Sequence, residues 1–559
     1  MKTNEAVVRT LLDGGIRRGF TLPGLGITWS LKAFHAERED FDVVLCRSEQ
    51  CASVMAQVTG KITGQPGLLM AQGPFATTTG AFGILEAYFS GSPMVVLTDT
   101  SCYDGFAQYG VYQSMTGDYG AADATAVLKT MTKMTTYATA PEEAVYGMQL
   151  AMKHAVAPRP GPTAVVMKTN IILKDMPETP RAKLYPTAGY LDATPARPDA
   201  AAVEQLGKLI DAAARPIIVA GNGVYMSRSG PRLQALAEAA GLGVASSYHG
   251  KGVIDETSDP AVGMLGTWGS RTANRALQAA DCIVLLGCSM GPEYTRFRDA
   301  AMVRPGEQTI VQVDIDPRNA GWVYPVDLAI TGDVGDVLEM LERRGLDTAN
   351  AAERLAALAV IKEANGYCQL PDLQAAPGRV HYVDIIRALD GFLTPDDLLT
   401  LDAGTNRIYA TAHLPLRTPH QLVAPGGIGG MGWSTPAAVG AKLACPEKRV
   451  TGVVGDGGFA MTMDAVITAV ERQQDVVWLV ANNAGLGMVR DNLGNQRIGV
   501  DFGEVDFATV AEGFGARGLT VTHPDQLGDA LAEAHGSGGP VVIDAKVDPA
   551  ASHRDVSDY

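Results

Sequence analysis

The stretch Arg449–Met488, RVTGVVGDGGFAMTMDAVITAVERQQDVVWLVANNAGLGM, contains two short apolar runs that each end in glycine and polar residues. Val450–Val454 stops at Gly-Asp-Gly-Gly, and Val476–Ala481 stops at Asn-Asn-Ala-Gly. Apolar runs of this length, bounded by turn residues, predict buried strands. Thr462 as an N-cap, followed by apolar residues at helical spacing, predicts a helix between them. The stretch therefore predicts a strand, a helix and a second strand.

The two polar turns should meet in space. A strand–helix–strand crossover is right-handed and makes its strands parallel, so both turns lie at the same carboxyl edge of the sheet. Asp456, Asn483 and the backbone carbonyl of Gly485 then offer oxygen ligands of the kind that Mg²⁺ prefers. The glycines would let a diphosphate approach the backbone, and the helix start offers free N–H groups. Each turn by itself is also common as a purely structural feature of α/β domains.

Length and composition limit the class of protein. A chain of 559 residues is too long for one hydrophobic core, and 46% hydrophobic residues with 63 glycines suit an α/β protein of several domains. The formal net charge of -16 argues against nucleic acid and acidic membrane surfaces as partners. A phosphorylated ligand would then need a metal ion and backbone dipoles to hold it.

The cysteines and the N-terminus indicate the compartment. Seven cysteines, an odd number with no CxxC pair, predict free thiols in a reducing environment. The N-terminal segment has no apolar signal core, and no apolar run reaches the length of a membrane span. We therefore predict a cytoplasmic protein without membrane contact.

Taken together, the two turns resemble the signature of the thiamine diphosphate-dependent enzymes, in which GDG is followed after a fixed interval by NN. Asp456 and Asn483 are 27 positions apart, as in that family, and GDGGFAMT and NNAGLGMV resemble its acetohydroxyacid synthase (acetolactate synthase) branch. The resemblance covers nearly the whole chain and implies three doubly wound α/β domains with parallel sheets. These would be a pyrimidine-binding domain at 1–175, a central Rossmann-like domain at 199–345 and a diphosphate-binding domain at 379–559.

The resemblance also implies roles for individual residues. Glu49, in RSEQCASVMAQ, would hydrogen-bond the pyrimidine ring of the cofactor, whereas a glutamate at a helix start is by itself normally a cap or a dipole complement. Met431, in GGIGGMG, would support the thiazolium ring, and the Gly429 carbonyl would accept from the exocyclic amine. Tyr112-Gln113 stands where the synthases carry Phe-Gln and simple decarboxylases carry paired histidines. The other cofactor contacts would be Gly455, Asp456, Gly457, Gly458, Asn483, Gly485, Gly487 and Met488.

The central domain carries the part of the resemblance that concerns FAD. In acetohydroxyacid synthases this domain binds a structural flavin, and MLGTWGSRTAN and VDIDPRNAG resemble flavin-contact segments. The turn Gly221-Asn222-Gly223, however, resembles only half of a dinucleotide fingerprint. Residues 287–293 stand where the family has an Arg-Phe-Asp-Asp-Arg stretch. We therefore predict that FAD binding is weak or absent.

The resemblance implies an enzyme that decarboxylates a 2-oxo acid and joins the remaining carbons to a carbonyl acceptor. Gln113 favours carbon joining, because the histidine pair that could donate a proton is missing. Asn492 and Leu25 depart from the synthase branch, which has a tryptophan and a glycine there, so the acceptor and the pathway stay open. The alternatives are a decarboxylase or lyase that releases an aldehyde, and a non-catalytic relative. In the family two subunits form each site together, which implies a homodimer or homotetramer.

Overall fold

The computed structural model describes residues 1–102, 113–118, 120–178, 183–191 and 197–556. Within them, three consecutive segments of the chain each form a six-stranded sheet, and every strand pair in the three sheets is parallel. Helices flank each sheet. This arrangement confirms the predicted fold class of three parallel α/β domains.

The first sheet has the strand order β2-β1-β3-β4-β6-β5. Its strands are β1 (Arg18–Leu22), β2 (Asp42–Leu45), β3 (Gly67–Ala71), β4 (Met94–Asp99), β5 (Met134–Ala138) and β6 (Pro162–Met167). The helices of this part are α1 (Thr3–Asp13), α2 (Leu25–Ala36), α3 (Glu49–Thr63), α4 (Gly73–Thr77), α5 (Ala81–Ser90), α6 (Ala124–Met131), α7 (Pro141–Val156) and the short α8 (Ala188–Leu191).

The central sheet has the order β12-β11-β10-β7-β8-β9. Its strands are β7 (Pro216–Ala220), β8 (Gly243–Ser246), β9 (Ala261–Met264), β10 (Cys282–Leu286), β11 (Thr309–Asp314) and β12 (Leu328–Thr331). The helices are α9 (Ala200–Ala212), α10 (Asn222–Met226), α11 (Gly230–Ala240), α12 (Arg271–Ala279), α13 (Val334–Arg344) and α14 (Ala351–Ala364), and the last of these leads to the third sheet.

The third sheet has the order β14-β13-β15-β16-β18-β17. Its strands are β13 (Asp397–Leu401), β14 (Leu422–Val423), β15 (Arg449–Gly455), β16 (Val476–Asn482), β17 (Arg517–Val521) and β18 (Val541–Lys546). The helices are α15 (Tyr382–Phe392), α16 (Thr405–His413), α17 (Ser434–Ala444), α18 (Asp456–Thr462), α19 (Ala465–Glu471), α20 (Gly487–Leu493), α21 (Phe507–Gly513) and α22 (Gln526–Gly536). Short 3-10 turns lie at Thr169–Ile171, Tyr248–Gly250, Pro292–Thr295 and His553–Asp555.

The crossover between β15 and β16 differs from the predicted one. Two short helices, α18 and α19, replace the single helix, and the first begins at Asp456 without a loop. Gly455 is extended and serves as the N-cap, while the Asp456 side chain accepts from the N–H of Gly457. Thr462 therefore ends a helix and does not cap one, and its hydroxyl donates to the carbonyl of Gly432 at 2.7 Å. The predicted metal turn, residues 455–458, is thus the start of a helix.

The first and third domains share one hydrophobic core. Val54 and Met55 on α3 belong to the same buried cluster as Ala437 and Ala438 on α17. A Cβ at Gly440 would lie 2.9 Å from the Cα of Met55, so the two helices touch where α17 has no side chain. The helix that begins with Glu49 is therefore packed directly on the helix that follows the glycine-rich loop. Of the helices in the described ranges, none is long and apolar enough to cross a membrane.

Candidate active site

Asp456 and Asn483 lie side by side at the carboxyl edge of the third sheet. β15 and β16 are hydrogen-bonded neighbours, with Gly455 opposite Ala481, so their turns leave the sheet together. The Asp456 carboxylate accepts from the N–H of Gly457 at 2.7 Å and from the N–H of Gly485 at 3.2 Å. The structure thus brings the predicted metal ligands into one turn region.

The buried negative charge in this region favours the binding of a cation. Asp456 is buried, and burial raises its pKa to about 6, against the opposing effect of the backbone N–H groups of Gly457 and Gly485. No basic side chain of the described residues is hydrogen-bonded or ion-paired to it. A buried carboxylate without a positive partner is costly, and a bound divalent ion removes that cost. The oxygen donors present here therefore fit Mg²⁺.

The other two predicted metal donors have defined partners. The Asn483 amide donates through Nδ2 to the Tyr382 hydroxyl at 3.1 Å, which leaves its oxygen available to a metal ion. The Gly485 carbonyl accepts from the N–H of Gly487 at 3.0 Å and keeps a second lone pair for a metal. Arg490 is buried and donates to the carbonyl of Asn483 at 3.3 Å, which holds this loop from behind.

Two glycines of the site have no room for a side chain, and a third lies close to the glycine-rich loop. A Cβ at Gly458 would lie 2.2 Å from Asp402 Oδ2, and a Cβ at Gly487 would lie 2.5 Å from Asn483 Nδ2. A Cβ at Gly457 would lie 3.2 Å from the methyl carbon of Met431. The metal turn therefore packs closely against the glycine-rich loop and leaves its backbone accessible to a ligand. Gly455 lies at the strand end with free space around it, and Met488 packs against the third-domain core.

The glycine-rich loop, residues 426–432, is held from two sides. Buried Asp402 accepts from the N–H of Gly432 at 2.9 Å and from the next two N–H groups of the chain at 3.0 and 3.3 Å. Buried Glu86, on α5 of the first domain, accepts from the N–H of Gly427 at 2.9 Å and of Ile428 at 2.8 Å. The loop that carries Gly429 and Met431 is therefore fixed by two carboxylates.

Glu49 is the first residue of α3, and Ser48 caps this helix by accepting from Cys51 N–H at 3.2 Å. The Glu49 side chain is buried, and its Oε2 accepts from the Thr79 hydroxyl at 3.1 Å. The Ser48 hydroxyl donates to Asp464 at 2.9 Å, so this end of α3 lies against the third domain. The serine therefore supplies the side-chain cap of α3, and the role of Glu49 toward the cofactor stays a prediction.

Gln113 lies in the first domain and is paired with another amide. Its Oε1 accepts from Gln72 Nε2 at 2.9 Å, and Gln72 caps α4 at the end of β3. Tyr112, the other half of the predicted pair, lies outside the described residues. No hydrogen bond within the described ranges joins Glu49 or Gln113 to the turn of Asp456. The hydrogen bonds of the described residues therefore link Asp456 to Gly485 but not to Glu49 or Gln113.

Sequence reasoning missed several residues that shape the site. Asp402 follows a buried strand, Leu398–Leu401, at the same sheet edge as Asp456, and this pattern could have identified it. Tyr382, Arg490 and Glu86 lie on helices, and their roles depend on partners far away in the chain. No local pattern marks such residues.

The chain is similar to proteins of one enzyme family over most of its length. Models of the thiamine pyrophosphate (thiamine diphosphate) enzymes match the chain with an N-terminal TPP binding domain at 1–121, a central domain at 203–341 and a C-terminal TPP binding domain at 402–545. The chain is 30% identical to a probable acetolactate synthase large subunit of Methanocaldococcus jannaschii, over 98% of this chain and 92% of the relative. It is 28% identical to the acetolactate synthase isozyme 3 large subunit of Escherichia coli (95% and 91% covered) and 26% identical to a pyruvate oxidase of Lactiplantibacillus plantarum (97% and 88% covered). The chain therefore belongs to the thiamine pyrophosphate enzyme family, in its acetolactate synthase-like branch.

Proposed function

We propose that this enzyme binds thiamine diphosphate through Mg²⁺, decarboxylates a 2-oxo acid and joins the remaining carbons to a carbonyl acceptor. The observation that carries the proposal is the buried carboxylate of Asp456, which lacks a cationic partner among the described residues and lies beside Asn483 and Gly485. Mg²⁺ on these three oxygens would neutralise the carboxylate and hold the diphosphate, together with the N–H groups at the start of α18. The three proposed domains comprise residues 1–175, 199–345 and 379–559.

The remaining site residues would position the cofactor and move protons. Bound thiamine diphosphate supplies a nucleophilic carbon and an electron sink. Glu49 would hold a proton at the pyrimidine ring nitrogen, and the Thr79 hydroxyl orients its carboxylate. Met431 would support the thiazolium ring, while the Gly429 carbonyl would accept from the exocyclic amine. The diphosphate would lie against the backbone of five residues, Gly455, Gly457, Gly458, Gly487 and Met488.

The pair Gln72–Gln113 supports carbon joining over aldehyde release. Both side chains are amides, and an amide cannot transfer a proton as a general acid near neutral pH. A site that protonates slowly gives a carbonyl acceptor time to enter. This is the feature that separates the proposed reaction from the alternative of a 2-oxo acid decarboxylase.

Product analysis tests the proposed reaction. The enzyme, supplied with thiamine diphosphate and Mg²⁺, is incubated with one 2-oxo acid alone and with the same donor plus a second carbonyl compound. We expect hydroxy-ketone or acetolactate-type products whose identity follows the added acceptor. Free aldehyde as the main product under both conditions would establish the decarboxylase alternative.

We also propose that FAD binds weakly or not at all. The turn at Gly221 and Gly223 packs directly on Gly287, whose carbonyl accepts from the N–H of Gly223 at 3.0 Å. Asn222 is occupied by contacts with Lys61 and with the carbonyl of Ser90. The glycines therefore serve packing between loops, although Asn222, Gly223 and Gly287 also line a cavity of about 280 Å³ at this edge of the central sheet. The proposal of weak binding rests on the engaged backbone and side chain of this turn and on the missing Arg-Phe-Asp-Asp-Arg stretch. The purified protein should be colourless, and a stoichiometric yellow flavin that resists dialysis would contradict this.

A homodimer or homotetramer is the assembly we propose. Four apolar side chains on α18, on α20 and in the segment that follows α20 are 41–83% exposed in the single chain, namely Met461, Val489, Ile498 and Phe502. Exposed apolar side chains clustered at a site mark a surface that another chain covers. Sedimentation equilibrium tests the assembly, and a monomer at micromolar concentration would contradict it.

The seven cysteines are all unpaired, which supports the proposed cytoplasmic location.

A further inference from the structure

Tyr382, the first residue of α15, lies against the side chain of Asn483 and is not itself one of the proposed metal ligands. Tyr382 is 4% exposed, and its hydroxyl accepts from Asn483 Nδ2 at 3.1 Å. The oxygen and the NH₂ group of an amide sit on one carbon, so a partner that fixes the NH₂ group also fixes the oxygen. The Tyr382 hydroxyl therefore determines whether Asn483 presents oxygen, which binds Mg²⁺, or NH₂, which does not.

An aromatic stack holds the Tyr382 ring in place. Its centre lies 5.1 Å from that of the Tyr409 ring on α16, at an interplanar angle of 19°. Tyr409 is fully buried, and its own hydroxyl donates to the carbonyl of Ser552 at 2.8 Å. A chain of contacts thus runs from Asn483 through two tyrosines to the C-terminal segment, residues 549–556.

Arg490 holds the main chain of the same metal-turn residue. Its guanidinium donates to the carbonyl of Asn483 at 3.3 Å and of Ala484 at 3.1 Å, and a second nitrogen donates to the carbonyl of Pro549 at 3.0 Å. Arg490 is buried, and the planar fork of its N–H donors suits it to tie two segments together. The C-terminal segment is therefore joined to Asn483 on the backbone side as well.

The C-terminal segment is itself fixed by neighbouring elements of the third domain. Asp491 on α20 accepts from the backbone N–H of His553 at 3.1 Å and lies 2.8 Å from its ring Nδ1. Just before the segment, the N–H of Asp548 donates to the carbonyl of Val380 at 3.0 Å, close to the start of α15. His553 and Val556 are buried. The segment is thus packed beside the two elements that carry Tyr382 and Arg490.

We propose that Tyr382 and Arg490 are positioning residues for the metal ion, and that the C-terminal segment anchors both of them. Neither side chain is a ligand in this arrangement: Tyr382 orients the amide of Asn483, and Arg490 fixes its backbone. Removing such an outer partner of a metal ligand typically costs about 10- to 100-fold in metal affinity. The inference rests on the proposed Mg²⁺ site and names the residues on which its ligand geometry depends.

Metal titration tests the role of Tyr382 without reference to activity. Mn²⁺ takes the same oxygen ligands as Mg²⁺, and electron paramagnetic resonance measures the free ion during titration of the full chain with excess thiamine diphosphate. Tyr382→Phe should weaken Mn²⁺ binding by about 10- to 100-fold. Tyr324→Phe is the matched control and should bind as wild type does, because Tyr324 is also buried but donates to Thr295 at 2.8 Å in the central domain. Equal affinity in wild type and Tyr382→Phe would overturn the inference.

Asn483→Asp distinguishes orientation of the ligand from general stability of the fold. A carboxylate presents oxygen whichever way it is turned, so the orienting hydroxyl becomes unnecessary. In the Asn483→Asp background, Tyr382→Phe should therefore cost less than about threefold in Mn²⁺ affinity. A loss as large as in the wild-type background would show that Tyr382 only stabilises the surrounding structure, and would overturn its orienting role.

Tyr409→Phe and Arg490→Lys test the anchoring by the C-terminal segment. The first keeps the ring stack and loses the bond to the Ser552 carbonyl, and the second keeps the charge and loses the planar fork. Each should weaken Mn²⁺ binding by about 2- to 10-fold, the worth of one hydrogen bond. Hydrogen exchange in the C-terminal segment should slow when thiamine diphosphate and Mn²⁺ bind. Wild-type affinity in both variants, with unchanged exchange in the segment, would overturn the anchoring.

Asp456→Ala separates this inference from the proposed metal site. If Mn²⁺ binding is lost in Asp456→Ala but equals wild type in Tyr382→Phe, the metal site stands and the inference fails. If Asp456→Ala binds Mn²⁺ as wild type does, the proposed metal site fails and the inference fails with it. Loss in Asp456→Ala, together with the intermediate affinity expected for Tyr382→Phe, supports both.

Discussion

At the scale of single residues, Glu49→Gln separates a proton-transfer role from a structural one. Glutamine keeps the size of the side chain and the bond from Thr79, but it cannot hold a proton at the cofactor nitrogen. We expect exchange of the C2 proton of bound thiamine diphosphate to slow by roughly 10²–10⁴-fold, with cofactor affinity retained. Proton exchange followed by NMR measures this directly. If the exchange rate in Glu49→Gln equals that of wild type, Glu49 has no role in this proton transfer and is only the first residue of a helix.

Asp456→Ala tests the metal turn. The substitution removes the only carboxylate of the proposed ligand set, so the diphosphate loses its Mg²⁺ bridge and thiamine diphosphate affinity should collapse. The apoprotein should melt at about the same temperature as wild type, because removal of a buried charge without a cationic partner offsets the loss of the hydrogen bonds from Gly457 and Gly485.

Calorimetry of cofactor binding and thermal unfolding of the apoprotein give the two measurements for this residue. Asp529→Ala, an exposed aspartate on α22, is the control and should behave like wild type in both. Unchanged cofactor affinity in Asp456→Ala would remove Asp456 from the metal site.

Local pattern explains which of these residues could be predicted. Asp456 and Asn483 follow buried strands within one stretch of forty residues, so sheet topology alone predicts that they meet. Glu86 carries no such signal, because its contacts are with a loop that is distant in the chain. Residues whose roles depend on long-range packing can be identified only from the structure.

At the scale of elements, the carboxylate of Asp402 holds the start of α17. Its two oxygens accept three consecutive N–H groups that begin at Gly432. In Asp402→Asn an amide NH₂ would face at least one of these donors, which leaves a buried group unsatisfied at a cost of about 1–3 kcal/mol. We expect a lower melting temperature and weaker cofactor binding, because Met431 directly precedes this point.

Asp396→Asn provides the matched comparison for Asp402→Asn, since Asp396 is exposed just before the same strand. Thermal unfolding and calorimetric titration with thiamine diphosphate should distinguish the two variants. If both bind the cofactor and melt as wild type does, the carboxylate does not organise the loop.

Element boundaries show where sequence patterns fail. The strands β15 and β16 lie where the sequence has apolar runs bounded by turn residues. This pattern predicts them because strands of a buried parallel sheet are nearly continuous apolar runs. The helix start at Asp456 was missed, since two glycines follow it and glycine normally disfavours a helix. Here the close approach of Gly458 to Asp402 outweighs that preference. Tertiary contact, and not local propensity, sets this boundary.

At the scale of the whole molecule, Lys61 lies where all three domains meet. It projects from α3 to Asn222 and lies 4.4 Å from the centre of the Tyr225 ring in the central domain. The Tyr225 ring is in turn 4.5 Å from that of His420 in the third domain. Three domains with parallel sheets were predictable from the sequence, but this junction was not, because it consists of single side chains from separate domains.

Lys61 should make stability depend on pH in a defined direction. Burial lowers its pKa from 10.5 to about 7, with the charge of Glu86 opposing the shift and that of Arg159 adding to it. Between pH 7 and about 10 the unfolded chain therefore binds more protons than the folded one, so this residue makes stability rise with pH across that window. In Lys61→Met the contribution is absent. The melting temperature of wild type relative to Lys61→Met should therefore increase from pH 7 to pH 10, and each tenfold difference in proton affinity corresponds to about 1.4 kcal/mol.

Thermal unfolding of wild type and Lys61→Met across that window measures the difference between their melting temperatures. Other groups that titrate in the same range affect both proteins equally, so their contribution cancels in this difference. Lys208→Met, an exposed lysine of α9, should keep a constant offset from wild type at every pH. A constant offset for Lys61→Met as well would show that Lys61 titrates alike in the folded and unfolded states. The lysine would then be hydrated at the domain junction, and the three domains would be packed less tightly around it than the contacts with Asn222 and Tyr225 indicate.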